Sequence, residues 1–207
     1  MNFNSLLNQI LGAAGNGGGK QNTLLKIGGG IVAAQMLGKL MKKGGAGGLV
    51  KTGSMAALGA LAYHAYQNWQ QNQGNNATAA PLSQQAFTPV GQDAETAGRV
   101  ILRAMIAAAA ADGQIDEAEQ ELIAQESGDD AETRQWLLAE TARPATPAEL
   151  ARDVGGNPAL AAETYLAARL VCGTPDRKEM VFLSQLAQAL QLDAALVESL
   201  EQQARSL

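Results

Sequence analysis

The back half of the chain alternates apolar and polar positions with a helical period. From about Ala94 to Ala111, Val100, Ile101, Ala104, Met105 and Ala108 recur at three- and four-residue spacing and form one apolar stripe. Gly113 interrupts that stripe. Asp116 and Glu119 then stand at capping-box spacing and open a second helix that carries Leu122 and Ile123 inward. Ser127-Gly128 ends it, and Asp129 or Asp130 opens a third helix containing Trp136, Leu137 and Leu138. Three further starts are marked by a capping side chain before a proline: Thr146-Pro147, Asn157-Pro158 and Thr174-Pro175. Asp193 caps the last helix, with Leu196, Val197 and Leu200 on its apolar face. No stretch alternates with the period of a strand. The pattern predicts an all-α fold, a compact bundle of six or seven helices over residues 94–207.

The front half is patterned differently. Residues 2–11 place Leu6, Leu7, Ile10 and Leu11 on one face of a short amphipathic turn, followed by a glycine-rich linker. Ile27 to Leu40 and Thr52 to Tyr66 are weakly apolar runs separated by Lys42, Lys43 and Lys51. Gly30, Ala34 and Gly38, and again Ala56 and Ala60, fall four apart, which lets helix backbones approach closely in lipid. Each run is shorter than the roughly 20 residues of a spanning helix. Gly44 to Trp69 taken as one segment reaches that length, with Tyr63, Tyr66 and Trp69 as an interfacial aromatic belt. Residues 67–93 are amide-rich and broken by Pro81 and Pro89, and they read as a polar, disordered tether. The division expected is therefore a membrane-associating region at 1–66, a linker at 67–93 and a helical domain at 94–207. Lipid contact is assigned to residues 24–69, and the small-residue faces would carry any homo-oligomer.

Charge sharpens this division. Six lysines and no acid precede Asp93, whereas all twenty acids and nine of the fifteen bases lie from Asp93 onward. So acidic a back half argues against nucleic acid as a partner, because phosphate contacts require cations. Cys172 and His64 are the sole cysteine and histidine, which excludes an intramolecular disulfide and a cysteine-based zinc cage. A Ser-His-Asp or Cys-His centre would have to use His64, which sits in a small-residue stretch. The expectation is that the chain is not an enzyme. Two glycine clusters do not alter this. Gly15 to Lys20 lacks the first glycine and the Ser or Thr of a phosphate-binding loop. Gly28 to Ala33 lacks both a proper preceding strand and a following acid.

Ala111 to Ile123 aligns with Val171 to Leu183, superposing Gly113 on Gly173, Asp116 on Asp176, Glu119 on Glu179 and Leu122 on Phe182. Both units read as an apolar helix, a glycine turn and a capped helix, so the domain holds two helix pairs related by a pseudo-twofold. Cys172 replaces Asp112 in the second unit. The first unit also fits the later part of an EF-hand loop, but Ala108 and Ala110 stand where its first ligands belong. What remains is a cluster of Asp112, Asp116 and Glu119 able to hold a weakly bound divalent cation, calcium or magnesium. The same residues also read as turn and cap alone, with no established cofactor.

The pattern A-A-x-A-D-G-x-I-D-x-x-E, with a later L-x-x-L-A-x-A-L-x-L-D, resembles the tellurite-resistance B-like (TerB-like) helical superfamily. A glycine-rich, weakly hydrophobic front joined to such a domain is similar to the YebE-like family of bacterial inner-membrane proteins of unknown function. The resemblance implies an all-helical domain, attachment to the inner membrane and no established catalysis. It also implies metal binding through the acids corresponding to Asp112, Asp116 and Glu119. The function expected is a membrane-attached helical scaffold or stress-linked interaction protein with unknown protein partners. The alternative is a divalent-metal-responsive sensor.

Overall fold

The computed structural model describes residues 2–8, 54–73, 81–111 and 131–206. The two glycine clusters, the run Ile27 to Leu40, and Asp112, Asp116 and Glu119 lie outside the described residues. Every regular element among the described residues is helical, as the sequence pattern predicts. In chain order these are a helical segment at residues 3–8, α1 (Met55–Gln73), a 3-10 turn (Gln84–Phe87) and α2 (Gln92–Ala110). They continue with α3 (Ala131–Ala142), α4 (Pro147–Val154), α5 (Pro158–Cys172), α6 (Arg177–Ala189) and α7 (Ala194–Arg205).

Helix α5 is the axis of the bundle. Its sequence, PALAAETYLAARLVC, is apolar around nearly the whole circumference, and every residue from Ala159 to Cys172 is buried. A helix without a polar face finds a low-energy place only where neighbours cover it on all sides. Helices α1, α2, α4, α6 and α7 and the 3-10 turn all pack against it, α2 most extensively. The small residues Ala161, Ala162, Ala167 and Ala168 are buried, which lets this many neighbours approach.

The starts of the helices follow local chemistry. Thr146 and Glu149 form a reciprocal capping box with Pro147 at the first position of α4. Asn157 caps α5 through Ala159 and Leu160, and Asp193 caps α7 through Ala195 and Leu196. The start predicted at Thr174-Pro175 is displaced. Helix α6 begins at Arg177, capped by Asp176, whose Oδ1 accepts from Lys178 and Glu179 while Glu179 Oε2 takes the N–H of Asp176 at 2.7 Å. Two reciprocal charged bonds outweigh one threonine hydroxyl.

The largest departure from the sequence reading concerns residues 54–93. Helix α1 continues to Gln73, through the first residues of the expected tether, and buries Met55, Leu58, Ala62, Ala65, Tyr66 and Trp69. That stripe belongs to the same core as α2, α5 and α7. Farther along, Phe87 is completely buried and packs its ring near Tyr63 and Tyr66, at centroid distances of 5.5 and 5.7 Å. A single aromatic in a polar stretch is enough to seat it. Tyr66 and Trp69, expected as an interfacial belt, are 3% and 8% exposed inside the bundle. The small-residue spacing of Ala56 and Ala60 lies away from this stripe, with Ala56 exposed. No helix among the described residues is long and apolar enough to cross a membrane.

The start of the chain also docks on the bundle. Leu6 and Leu7 are buried, and Phe3 meets Trp136 edge-on at 4.9 Å. Gly98 of α2 makes this approach feasible: a Cβ there would stand 3.1 Å from the backbone nitrogen of Asn4. The Oδ1 of Asn8 accepts the N–H of Met55 at 2.8 Å, beside Ser54, whose hydroxyl accepts from Ala57. Residue 8 and residue 55 are therefore neighbours, although 47 positions separate them.

Candidate functional site

Of the three residues singled out by spacing, the structure describes none, but it does describe their counterparts in the second unit. Gly173 turns the chain with a φ of +56° after an apolar helix, and Asp176 with Glu179 caps the next. Both carboxylates there direct oxygens to helix N–H groups. The repeat frame thus builds a hinge between two helices. Cys172 is buried at the end of α5, whereas His64 is exposed on α1, so the sole thiol and the sole imidazole do not share a site. Among the described residues no group of three His, Cys, Asp or Glu side chains is placed to hold a metal ion.

Two charged clusters come together in the bundle. Arg103, from the middle of α2, donates through Nε to Glu140 of α3 at 2.7 Å and through Nη1 to Asp153 of α4. One guanidinium thereby joins three helices, its planar fork serving two carboxylates. Burial works against its charge, but the bonds and charges of Glu140 and Asp153 prevail and raise its pKa. On the other side, Arg169 of α5 grips both oxygens of Glu201 of α7 at 2.9 and 2.8 Å. Its Nη1 donates to the carbonyl of Gly173 at 2.7 Å, closing the end of α5. The Tyr165 hydroxyl donates to the same Glu201 at 2.9 Å. Burial, and then the neighbouring Glu201 carboxylate, raise the Tyr165 pKa. Each cluster fastens helices through paired, hydrogen-bonded charge.

A third polar feature has no such partner. Glu163, at the centre of α5, is 1% exposed, and its Oε1 has no hydrogen-bond partner among the described residues. Burial pushes its carboxyl up to about 8, with no neighbouring charge as a cause. Its surroundings are set by Gly59 of α1. A Cβ at Gly59 would lie 1.9 Å from the carbonyl oxygen of Phe87 and 2.8 Å from Glu163 Oε1. The absent side chain leaves room for a main-chain carbonyl and a carboxyl at one spot, where α1, α5 and the 3-10 turn converge. The adjacent Thr164 hydroxyl is also buried and unpartnered among the described residues. Sequence reasoning passed over Glu163, although one signal was available: it is the only acid in a helix without a polar face.

Neither the curated proteins nor the solved structures contain a match to this chain. Residues 26–204 do match a family, the one described as protein of unknown function (DUF533), and this covers most of the sequence. The match extends from the basic front through α7. The chain belongs to that family.

Proposed function

We propose that this protein is a non-enzymatic, membrane-attached helical module of the YebE-like kind. Its TerB-like bundle would meet protein partners, and the glycine-rich stretch before α1 would meet the lipid of the bacterial inner membrane. The observation carrying this reading is the contact between Asn8 and Met55. It places both ends of residues 9–53 at one point on the bundle, and that interval contains the weakly apolar run and the six lysines that precede Asp93. A chain that leaves and rejoins one folded unit at a single point enters and leaves a bilayer from the same face. The bundle would then sit on the side where the chain begins. The lysines suit attraction to anionic headgroups, worth about 1 kcal/mol per residue near the surface. The burial of Tyr66 and Trp69 narrows the lipid-facing part from residues 24–69 to the portion before α1.

Flotation with anionic and neutral vesicles tests this. The full chain should float with anionic vesicles, and a variant with residues 24–53 replaced by a Gly-Ser segment of equal length should not. Equal behaviour of the two proteins would remove the proposal. The metal-responsive alternative rests on Asp112, Asp116 and Glu119. The capping role of Asp176 and Glu179 favours a structural use of the same frame.

A further inference from the structure

Glu163 Oε1 and the main-chain carbonyl oxygen of Phe87 both border the open face of Gly59. Phe87 is completely buried, and its carbonyl receives no hydrogen bond from a described residue. Glu163 Oε1, equally without a partner, lies against the same open face of Gly59. Two buried acceptors bordering one spot each forfeit their hydrogen bonds to water. One proton on the carboxyl converts this mismatch into a donor–acceptor pair. We propose that the Glu163 carboxyl is held protonated and donates its O–H to the Phe87 carbonyl, forming a proton-operated clasp. The clasp fastens the crossing at residues 81–91 onto α1 and α5.

The surrounding charges are consistent with a neutral carboxyl. On its own helix, Arg169 and Tyr165 are engaged with Glu201 of α7. On α2, Arg103 is engaged with Glu140 and Asp153, and Glu95 accepts the N–H of Asn4. The remaining titratable groups on the helices against α5 and at their caps are Tyr63, His64 and Tyr66 of α1, Asp93 and Arg99 of α2, Glu149 and Arg152 of α4, Asp176, Arg177, Lys178 and Glu179 of α6, and Asp193, Glu198 and Arg205 of α7. None of these contributes to the displacement of Glu163, whose one cause is burial. Among the described residues no cation is placed to favour the ionised form. The same residues make the clasp reversible: ionisation places a charge against the carbonyl, and the favourable response is for the crossing to lift.

The sign of the linkage follows. The folded state holds the Glu163 proton up to about pH 8, whereas an unfolded glutamate releases it near 4.5. The folded state therefore binds more protons across this interval, and stability falls as pH rises through it.

The test uses the full chain. Carbon-detected NMR should show the Glu163 carboxyl neutral at pH 7 and titrating near 8. Amide exchange at residues 84–91, corrected for the intrinsic pH dependence, should lose protection about tenfold or more above that point. In Glu163→Gln, whose amide N–H can still donate to Phe87, protection should be independent of pH. A carboxyl that titrates in the ordinary glutamate range overturns the proposal. So does a crossing whose protection is unchanged while Glu163 ionises, or one that opens equally in Glu163→Gln. Should that variant fail to fold, the carboxyl titration and exchange of the unaltered protein decide by themselves.

Discussion

The indole N–H of Trp69 donates to Oδ1 of Asp193 at 2.9 Å, and that same oxygen accepts the N–H groups of Ala195 and Leu196. One carboxylate oxygen therefore starts α7 and holds α1 against it. Ser199, one turn into α7, reinforces the junction by donating to the carbonyl of Ala65 at 2.7 Å. Asp193→Ala removes the cap and leaves the buried indole without an acceptor. A loss of about 2 kcal/mol is expected from these two effects together. A double-mutant cycle with Trp69→Phe, followed by urea unfolding, should give a coupling of about 1 kcal/mol.

Gly59 and Gly155 are required for different reasons, and alanine separates them. At Gly155 the φ is +62° and a Cβ would meet nothing closer than 4.0 Å, so only backbone strain opposes the change. Gly155→Ala should cost about 1 kcal/mol. At Gly59 the added carbon would overlap the Phe87 carbonyl at 1.9 Å, and α1 or the crossing must shift. Gly59→Ala should cost about 3 kcal/mol, at the upper end of overpacking effects. Thermal unfolding of both variants gives the comparison.

Arg103→Met should destabilise the bundle by about 2 kcal/mol, because Glu140, 11% exposed at its side chain, loses its cation. The guanidinium is one-fifth exposed, so solvent screening keeps the loss below that of a fully buried pair. Adding Glu140→Leu should recover part of the stability. Urea unfolding of the single and double variants measures this.

Glu149 gives an acid-side signature. The backbone N–H and the hydroxyl of Thr146 lower its pKa, with Arg143 assisting. The sign is that of a depressed carboxyl: its contribution is present above the unfolded glutamate value and disappears as pH falls through the folded one. In Glu149→Gln this part of the acid dependence should vanish. An NMR titration of the Glu149 carboxyl should show a midpoint below that of free glutamate.

The helical domain was readable where short-range chemistry decides structure. Thr146-Pro147, Asn157-Pro158 and Asp193 announce α4, α5 and α7 because a cap and its N–H partners lie within three residues. At Thr174-Pro175 two local signals compete, and reading only the proline misses the stronger Asp176–Glu179 pair. Helix α1 was legible as weakly apolar but not as part of the core. Small and aromatic residues at helical spacing suit a bilayer or a protein groove equally well. Its place depends on Phe87, Asp193 and Ser199, which are distant in sequence. Glu163 stood out only as a lone acid in an apolar helix, and its surroundings were illegible for the same reason: Gly59 and the Phe87 carbonyl come from elsewhere in the chain.

The contact between Asn8 and Met55 has an architectural consequence. Residues 9–53 are topologically an insertion, and the bundle needs nothing from their length to bring its first two helical pieces together. Loop-closure entropy favours a shorter connection, by about 0.6 kcal/mol for each halving. Replacing residues 9–53 with a short Gly-Ser bridge should therefore yield a miniature protein at least as stable as its parent. Calorimetry would register this as an unchanged or higher Tm, and a marked drop would mean that the insert supports the bundle. With the insert excised, binding measured for the miniature would belong to the helices alone.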